Sequence, residues 1–295
     1  MTSAPVMVGV DGSPSSLEAV EQAATEAALR GRRLHIVHAF VWPFALVAAR
    51  PAGQGVPEPA ALLRAKADSI VDQARVRAEK TAPGITVTTE VADGPAAFVL
   101  LQRSNRASLM VVGDRGLGRF DGILAGTVAT ELATYGSCPI LVVRGRPDPD
   151  DPVIVGVDGS ERSGCALDFA ADEAHRRGTQ LIAVHVWRMP VPPFPGTAMP
   201  LVYDTGMLEA EEQRRLSTAV AGLRDRYPGL TIRQELGRGA ATAVLTAWSR
   251  KAQLVVVGDR GHGGFVGLLL GSVSQHLIYH AACPVAVVRD EHRQH

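Results

Sequence analysis

VMVGVDGSPSS, from Val6 to Ser16, returns almost unchanged as VIVGVDGSERS, from Val153 to Ser163, about half the chain length later. In each copy a short β-branched run precedes Asp-Gly-Ser, and helix-forming residues follow. Such an apolar run is typical of a strand buried on both faces of a parallel sheet. A serine directly after it is a typical helix cap. Each half of the chain is therefore predicted to begin with a strand, a turn and a helix.

Three further stretches recur in the same order, which indicates one domain duplicated. They are PGITVTTEVADG (83–94) and PGLTIRQELGRG (228–239), VVGDRGLGRFDGILAGTVA (111–129) and VVGDRGHGGFVGLLLGSVS (256–274), and SCPILVVR (137–144) and ACPVAVVR (282–289). Between the copies stands RGRPDPDDP (144–152), whose prolines and aspartates are typical of an exposed linker. We expect domain 1 over 1–146, a linker over 147–151 and domain 2 over 152–295.

Within each copy, apolar runs alternate with segments of helical periodicity. In the first copy the predicted strands are Val6–Val10, Leu34–Phe40, Ile85–Val91, Ser108–Gly113 and Pro139–Arg144. The first predicted helix contains Val20–Ala27 and ends near Gly31. The later predicted helices are Leu62–Lys80, Ala96–Arg103 and Val128–Tyr135. This alternation is typical of βαβ crossovers, which place helices on both faces of a parallel sheet. The predicted fold is α/β: two duplicated, doubly wound domains, each with a five-stranded parallel sheet.

Composition excludes several classes of function. Thirty basic residues balance thirty acidic ones, so the overall charge favours neither nucleic acid nor an anionic membrane. We see no run long enough to span a bilayer and no secretory signal. Three cysteines without a C-x-x-C pair indicate a reducing compartment. The expected location is the cytoplasm, with no membrane insertion.

The glycine-rich segment 111–129 is the first candidate for chemistry. Both copies read glycine, two residues, glycine, nine residues, glycine and then a hydroxyl residue, which is Thr127 or Ser272. Glycines allow close approach of a backbone to phosphate, and a helix N-terminus attracts anions. The hydroxyl could cap the helix or donate to a phosphate oxygen. Ordinary βα turns remain the alternative, and neither a P-loop nor a G-x-G-x-x-G motif is present.

These motifs together resemble the universal stress protein family in its tandem form. The features are VGVDGS at the end of the first strand in both copies, the glycine pattern, and the closing CPILVVR and CPVAVVR. The resemblance implies strand order 3-2-1-4-5, ATP with magnesium as the ligand, and pairing through the final strands. The implied ATP-binding residues are Gly9, Val10, Asp11, Ala39, Gly113, Arg115, Gly116, Gly118, Arg119, Gly126, Thr127 and Val128 in the first copy, and Gly156, Val157, Asp158, Val186, Gly258, Arg260, Gly261, Gly263, Gly271, Ser272 and Val273 in the second.

Two positions depart from a simple phosphate site. Asp114 and Asp259 follow the first glycine of the pattern, where an acid disfavours phosphate unless it points away or meets a cation. Arg119 has Gly264 as its counterpart, so a phosphate-contacting cation at this position exists only in the first copy. We expect unequal affinities, with the first site tighter.

Other polar residues keep two interpretations each. Asp11 and Asp158 either form Asx turns or face the ligand, with or without magnesium. Arg115 and Arg260 either clamp phosphate or stand as solvated loop residues. The remaining pairs have a preferred structural role: Ser13 and Ser160 as helix caps, His38 and His185 as core or supporting histidines, and Cys138 and Cys283 as buried small residues.

The predicted function is an ATP-binding regulator of the stress-response type, in which occupancy changes partner binding or assembly. No catalytic residue is assigned, although weak hydrolysis is compatible with it. One alternative is a slow ATPase or phosphoryl-transfer enzyme that uses Asp11 or Asp158 with magnesium. The other is a nucleotide-independent scaffold. Expected partners are ATP, an unidentified protein, and further copies in a homodimer or larger assembly.

Overall fold

The computed structural model describes residues 3–42, 58–116, 127–189, 205–261 and 269–289, without the side chains of 58–60 and 161–162. These residues form two compact units, the first running to Gly145 and the second starting at Arg146. None of the described helices has the length and apolarity needed to cross a lipid bilayer.

The first unit alternates strands and helices as predicted. Its elements are β1 Val6–Val10, α1 Pro14–Leu29, β2 Leu34–Phe40, α2 Glu58–Thr81, β3 Val87–Asp93, α3 Ala96–Ser104, β4 Leu109–Gly113, α4 Thr127–Tyr135 and β5 Ile140–Val143. β3 lies two residues later than predicted because its ladder with β2 starts at the pair Leu34 and Val87. α2 starts a turn earlier than predicted, and Pro59 is tolerated there because the first helical turn needs no amide donor.

The second unit repeats this order. Its elements are β6 Val153–Val157, α5 Glu161–Arg177, β7 Leu181–Trp187, α6 Thr205–Arg226, β8 Ile232–Arg238, α7 Ala241–Trp248, a short 3-10 helix Ser249–Lys251, β9 Leu254–Gly258, α8 Ser272–His280 and β10 Val285–Val288.

Each unit contains a parallel sheet. The strand order is β3-β2-β1-β4-β5 in the first and β8-β7-β6-β9-β10 in the second, and all the strand pairs within a unit run parallel. The implied order 3-2-1-4-5 is confirmed. Sheets of this kind bind ligands beyond the carboxyl ends of their strands.

Helices cover both faces of the first sheet. A Cβ built on Gly113 would contact Ser15 of α1, whereas one built on Gly9 would contact Leu100 of α3 and Val112. Because Val112 and Gly113 are consecutive in β4, their side-chain directions lie on opposite faces. α1 and α3 therefore pack on opposite sides, and the apolar strands between them form the buried core.

The predicted caps are present. The Ser16 amide donates to Ser13 Oγ at 3.2 Å at the start of α1, and the Ser163 amide donates to Ser160 Oγ at 3.2 Å at the start of α5. Pro14 occupies the first turn of α1, where its fixed φ suits a helix. These caps start both helices directly after the strand-end aspartates.

Candidate functional site

The first unit brings the end of β1 beside the segment that follows β4. The Ser13 amide donates to Asp11 Oδ1 at 2.9 Å, which is the expected Asx turn. The other carboxylate oxygen faces the glycine segment, because a Cβ on Gly116 would lie 2.8 Å from Asp11 Oδ2. Asp11 therefore both forms the turn and borders the glycine loop.

The second unit repeats this arrangement at the end of β6. Asp158 Oδ1 accepts hydrogen bonds from the Ser160 amide at 3.0 Å and from its hydroxyl at 2.6 Å. A Cβ on Gly261 would collide with Asp158 Oδ2. In both units, the second glycine of the pattern thus provides space for the aspartate after the first strand.

The third glycine of the second pattern holds α8 against the end of β9. The Gly271 amide donates to the Asp259 carbonyl oxygen at 2.7 Å. A Cβ on Gly271 would lie 3.2 Å from that oxygen. Ser274 adds a second tie, since its hydroxyl donates to the Gly258 carbonyl at 2.6 Å. The start of α8 is therefore fixed beside the carboxyl end of the sheet, where an anion would meet its amides.

Of the two roles left open for Ser272, capping of α8 is excluded. Gly271 is the N-cap, without a side-chain capping bond, and Ser272 is the first helical residue. Thr127 likewise stands at the first position of α4. Both hydroxyl residues are exposed, and Val128 and Val273 follow them in the first helical turn.

Several predicted site glycines have a packing reason to lack a side chain. A Cβ on Gly113 would lie 2.8 Å from the Ser15 carbonyl oxygen. On Gly9 it would lie 2.7 Å from Leu100, and on Gly156 it would lie 3.0 Å from Leu245. Gly9 and Gly156 therefore let α3 and α7 approach their sheets, which is a structural role for these two residues.

Each aspartate after the first glycine meets a cation. Asp114 lies 3.3 Å from Arg115 Nε and also accepts a 2.8 Å hydrogen bond from Ser15 Oγ. Asp259 lies 3.4 Å from Arg260 Nε and 3.9 Å from Arg289 Nε. The negative charge that disfavours phosphate is thus balanced in both units.

The two strand-end histidines are buried, as expected. His38 Nδ1 donates to the Val10 carbonyl at 2.8 Å, and His185 Nδ1 donates to the Val157 carbonyl at 2.7 Å. His185 Nε2 also lies 3.0 Å from Glu212 Oε2. Both histidines support the ends of the first strands, and the next residues in their own strands, Ala39 and Val186, are half-buried.

Four predicted site residues lie outside the described part of the chain: Gly118, Arg119, Gly126 and Gly263. Among the residues that are described, no group of three or more His, Cys, Asp or Glu side chains is placed to hold a metal ion.

The model of the universal stress protein family matches residues 3–144 and again residues 151–289. The chain belongs to this family. It is 37% identical over 295 residues to a universal stress protein of Mycolicibacterium smegmatis, covering 96% of each chain. It is 36% identical over 301 residues to one of Mycobacterium tuberculosis, covering 97% of this chain and 96% of the other.

A solved universal stress protein from Archaeoglobus fulgidus has the same fold. Its TM-score is 0.67 at 18% identity, and the match covers 96% of this chain and 98% of that one. The family and the tandem architecture expected from the repeats are both confirmed.

Three side-chain contacts near the candidate sites were not predicted from the sequence. Ser15 binds Asp114, Arg289 approaches Asp259, and Glu212 pairs with His185. Arg289 had a weak signal, because it closes the repeated motif CPVAVVR. Glu212 had no sequence signal, since it is one of many charged residues on a long helix.

Proposed function

We propose that each unit binds ATP at the carboxyl end of its sheet and that occupancy of these sites regulates what the protein binds. The observation that carries this proposal is the contact between Gly116 and Asp11. The two residues belong to motifs far apart in the sequence, yet they border one space. A loop that needed glycine only for a turn would not have to pack against this carboxylate.

The other predicted residues fit a phosphate site in the same place. Backbone amides of the glycine segments and of the first turns of α4 and α8 would bind phosphate oxygens, assisted by the Thr127 and Ser272 hydroxyls. Arg115 and Arg260 pair with the neighbouring Asp114 and Asp259, which reduces the repulsion between these acids and a phosphate. Asp11 Oδ2 and Asp158 Oδ2 would hold magnesium brought in by ATP, because carboxylate oxygens are ligands that this ion prefers.

The described residues favour a regulator over a dedicated enzyme. His185 uses both of its ring nitrogens, Nδ1 on the Val157 carbonyl and Nε2 on Glu212, so neither is free to act as a base on a ligand. We therefore propose slow hydrolysis at most, in the cytoplasm, with partner binding or assembly of further copies as the response.

The direct test identifies the nucleotide that the purified protein retains. After denaturation, chromatography and mass spectrometry should detect ATP, and nucleotide-free protein should rebind about two ATP per chain in the presence of magnesium. Gly116→Ala and Gly261→Ala should each remove one site, because each added methyl group would displace an aspartate oxygen. Gly164→Ala and Gly222→Ala are matched controls, since a Cβ there meets open space.

Different results would support the alternatives. A folded protein without affinity for millimolar ATP would indicate the scaffold. Steady phosphate release that is abolished by Asp11→Asn would indicate the ATPase. Unequal loss of affinity in the two glycine variants would rank the sites, and we expect the first to be tighter because Arg119 has no counterpart. Light scattering with and without ATP would measure assembly.

A further inference from the structure

α8 carries two histidines one helical turn apart. His276 and His280 are four residues apart, so their side chains lie on the same face of the helix. The ring centroids are 4.4 Å apart, with 39° between the ring planes. His280 is exposed and His276 is half-buried, so both rings are open to small solutes from water.

The ring nitrogens of this pair are not used elsewhere in the described structure. In the described parts of the chain, the aromatic contacts of the two rings are with each other and, for His280, with the neighbouring Tyr279. Elsewhere in the fold a histidine in a strand is held by backbone or side-chain partners, as His38 is by Val10. The pair on α8 therefore has no hydrogen-bonding role that would explain it.

The pair belongs to the second unit alone. At the equivalent positions of α4 the first unit has Glu131 and Tyr135. Duplication of the family fold therefore does not account for two histidines at this spacing.

We propose that His276 and His280 chelate a divalent transition-metal ion of the copper, nickel and zinc class, with water as the remaining ligands. Two imidazoles at a spacing of four residues on a helix can share one ion. Imidazole suits copper, nickel and zinc, and the general order of affinities makes Cu²⁺ the strongest binder. This site is independent of the proposed nucleotide function.

The test uses the full-length chain with His292→Gln and His295→Gln as the parent, so that terminal histidines cannot compete. After treatment with a chelator, the parent is titrated with CuCl₂ by calorimetry, and nitrogen coupling is recorded by electron paramagnetic resonance. We expect one Cu²⁺ with two coupled nitrogens. His280→Gln should weaken binding by at least about tenfold, because chelation is lost.

A register swap is the sharpest control. His276→Gln combined with Gln275→His keeps the number of histidines but separates the rings by five residues, which places them on different helix faces. The swap should bind as weakly as His280→Gln, and His175→Gln on α5 should bind like the parent. Equal binding by the parent and the swap, or loss of binding in His175→Gln alone, would overturn the proposal. Circular dichroism confirms that each variant is folded.

Discussion

Asp114 and Asp259 occupy equivalent positions, yet each unit balances the carboxylate in its own way. Asp114 accepts a hydrogen bond from Ser15 and lies near Arg115; the side chain of Asp114 is 12% exposed and that of Arg115 is 71% exposed. Asp259 is only 4% exposed and lies near Arg260 and Arg289. Both carboxylates are largely buried, so each needs close partners. The first unit supplies a hydroxyl and an arginine that lies mostly in water, whereas the second supplies two half-buried arginines. The two copies thus share the aspartate at this position but differ in the residues that surround it.

The same contrast appears around the strand-end histidines. In the second unit His185 pairs with Glu212 of α6. In the first unit the position equivalent to Glu212 is Ala67, which is buried. The two candidate sites share their backbone framework but differ in the charges that surround it, so experiments on matched residues can separate them.

The largest expected difference concerns the thiols. Burial raises the pKa of Cys138 in the first unit to about 12, whereas Cys165 in the second unit is half-buried. At pH 8 the Cys138 thiolate should be about a thousandfold scarcer than that of a thiol of ordinary pKa. Iodoacetamide labelling of the native protein, followed by peptide mass spectrometry, should modify Cys165 first. Equally fast modification of Cys138 would contradict its burial.

The next effect concerns glycine packing. Gly113→Ala would place a methyl group 2.8 Å from the Ser15 carbonyl oxygen, so α1 would have to shift at a cost of about 2 kcal/mol. Gly164→Ala in α5 meets open space and should stabilise the second unit by about 0.5 kcal/mol. Urea unfolding of both variants measures this difference. A Gly113→Ala protein as stable as the parent would show that this contact does not constrain β4.

Removal of the arginine next to each aspartate should have unequal effects. Arg260→Gln leaves a buried carboxylate with weaker compensation and should cost about 1–2 kcal/mol. Arg115→Gln removes an arginine that lies mostly in water and should cost less than about 0.5 kcal/mol. Urea unfolding at low and high salt distinguishes the two variants, because salt screens the charge of Arg115 more than that of the half-buried Arg260. Equal costs would mean that the exposure of the arginine does not decide its contribution.

The smallest effect is a pH dependence in the first unit. Arg103 donates hydrogen bonds to Glu90, and His35 adds another, so the pKa of Glu90 falls from 4.5 to about 2. A lowered folded-state pKa stabilises the protein above pH 4.5, and this contribution is lost as the pH falls towards 2. Solvent screening limits it to about 1 kcal/mol.

Glu90→Gln is the matching variant for this contribution. Its unfolding free energy should fall less than that of the parent between pH 5 and pH 3. The second unit has Ile182 and Trp248 where the first has His35 and Arg103, so the difference should be confined to the first unit. Identical pH profiles for the parent and Glu90→Gln would contradict the assignment.

Most of the fold could be predicted from local patterns. Strands buried on both faces appear as short apolar runs, helices show amphipathic spacing, and serine caps follow the first strand of each copy. Errors were confined to element ends. β3 was placed two residues early because Ile85 and Thr86 look like strand residues, whereas the ladder begins where β2 begins.

The candidate site was predictable only as a set of residue types. The repeats singled out Asp11, Gly116 and their counterparts, and the implied strand order 3-2-1-4-5 makes neighbours of the first and fourth strands, which the two motifs follow. That Asp11 directs one oxygen to its own turn and the other to Gly116 depends on the register between β1 and β4.

Sequence alone was sufficient for the duplication, the α/β class, the serine caps of α1 and α5 and the family, because each depends on local periodicity or on a contiguous motif. Tertiary structure was needed for the contacts between Gly113 and Ser15, His185 and Glu212, and Asp259 and Arg289. Such pairs depend on which elements become neighbours and at what register, and residues far apart in the chain carry no local signal of that. The charges around the two candidate sites were therefore decided by packing.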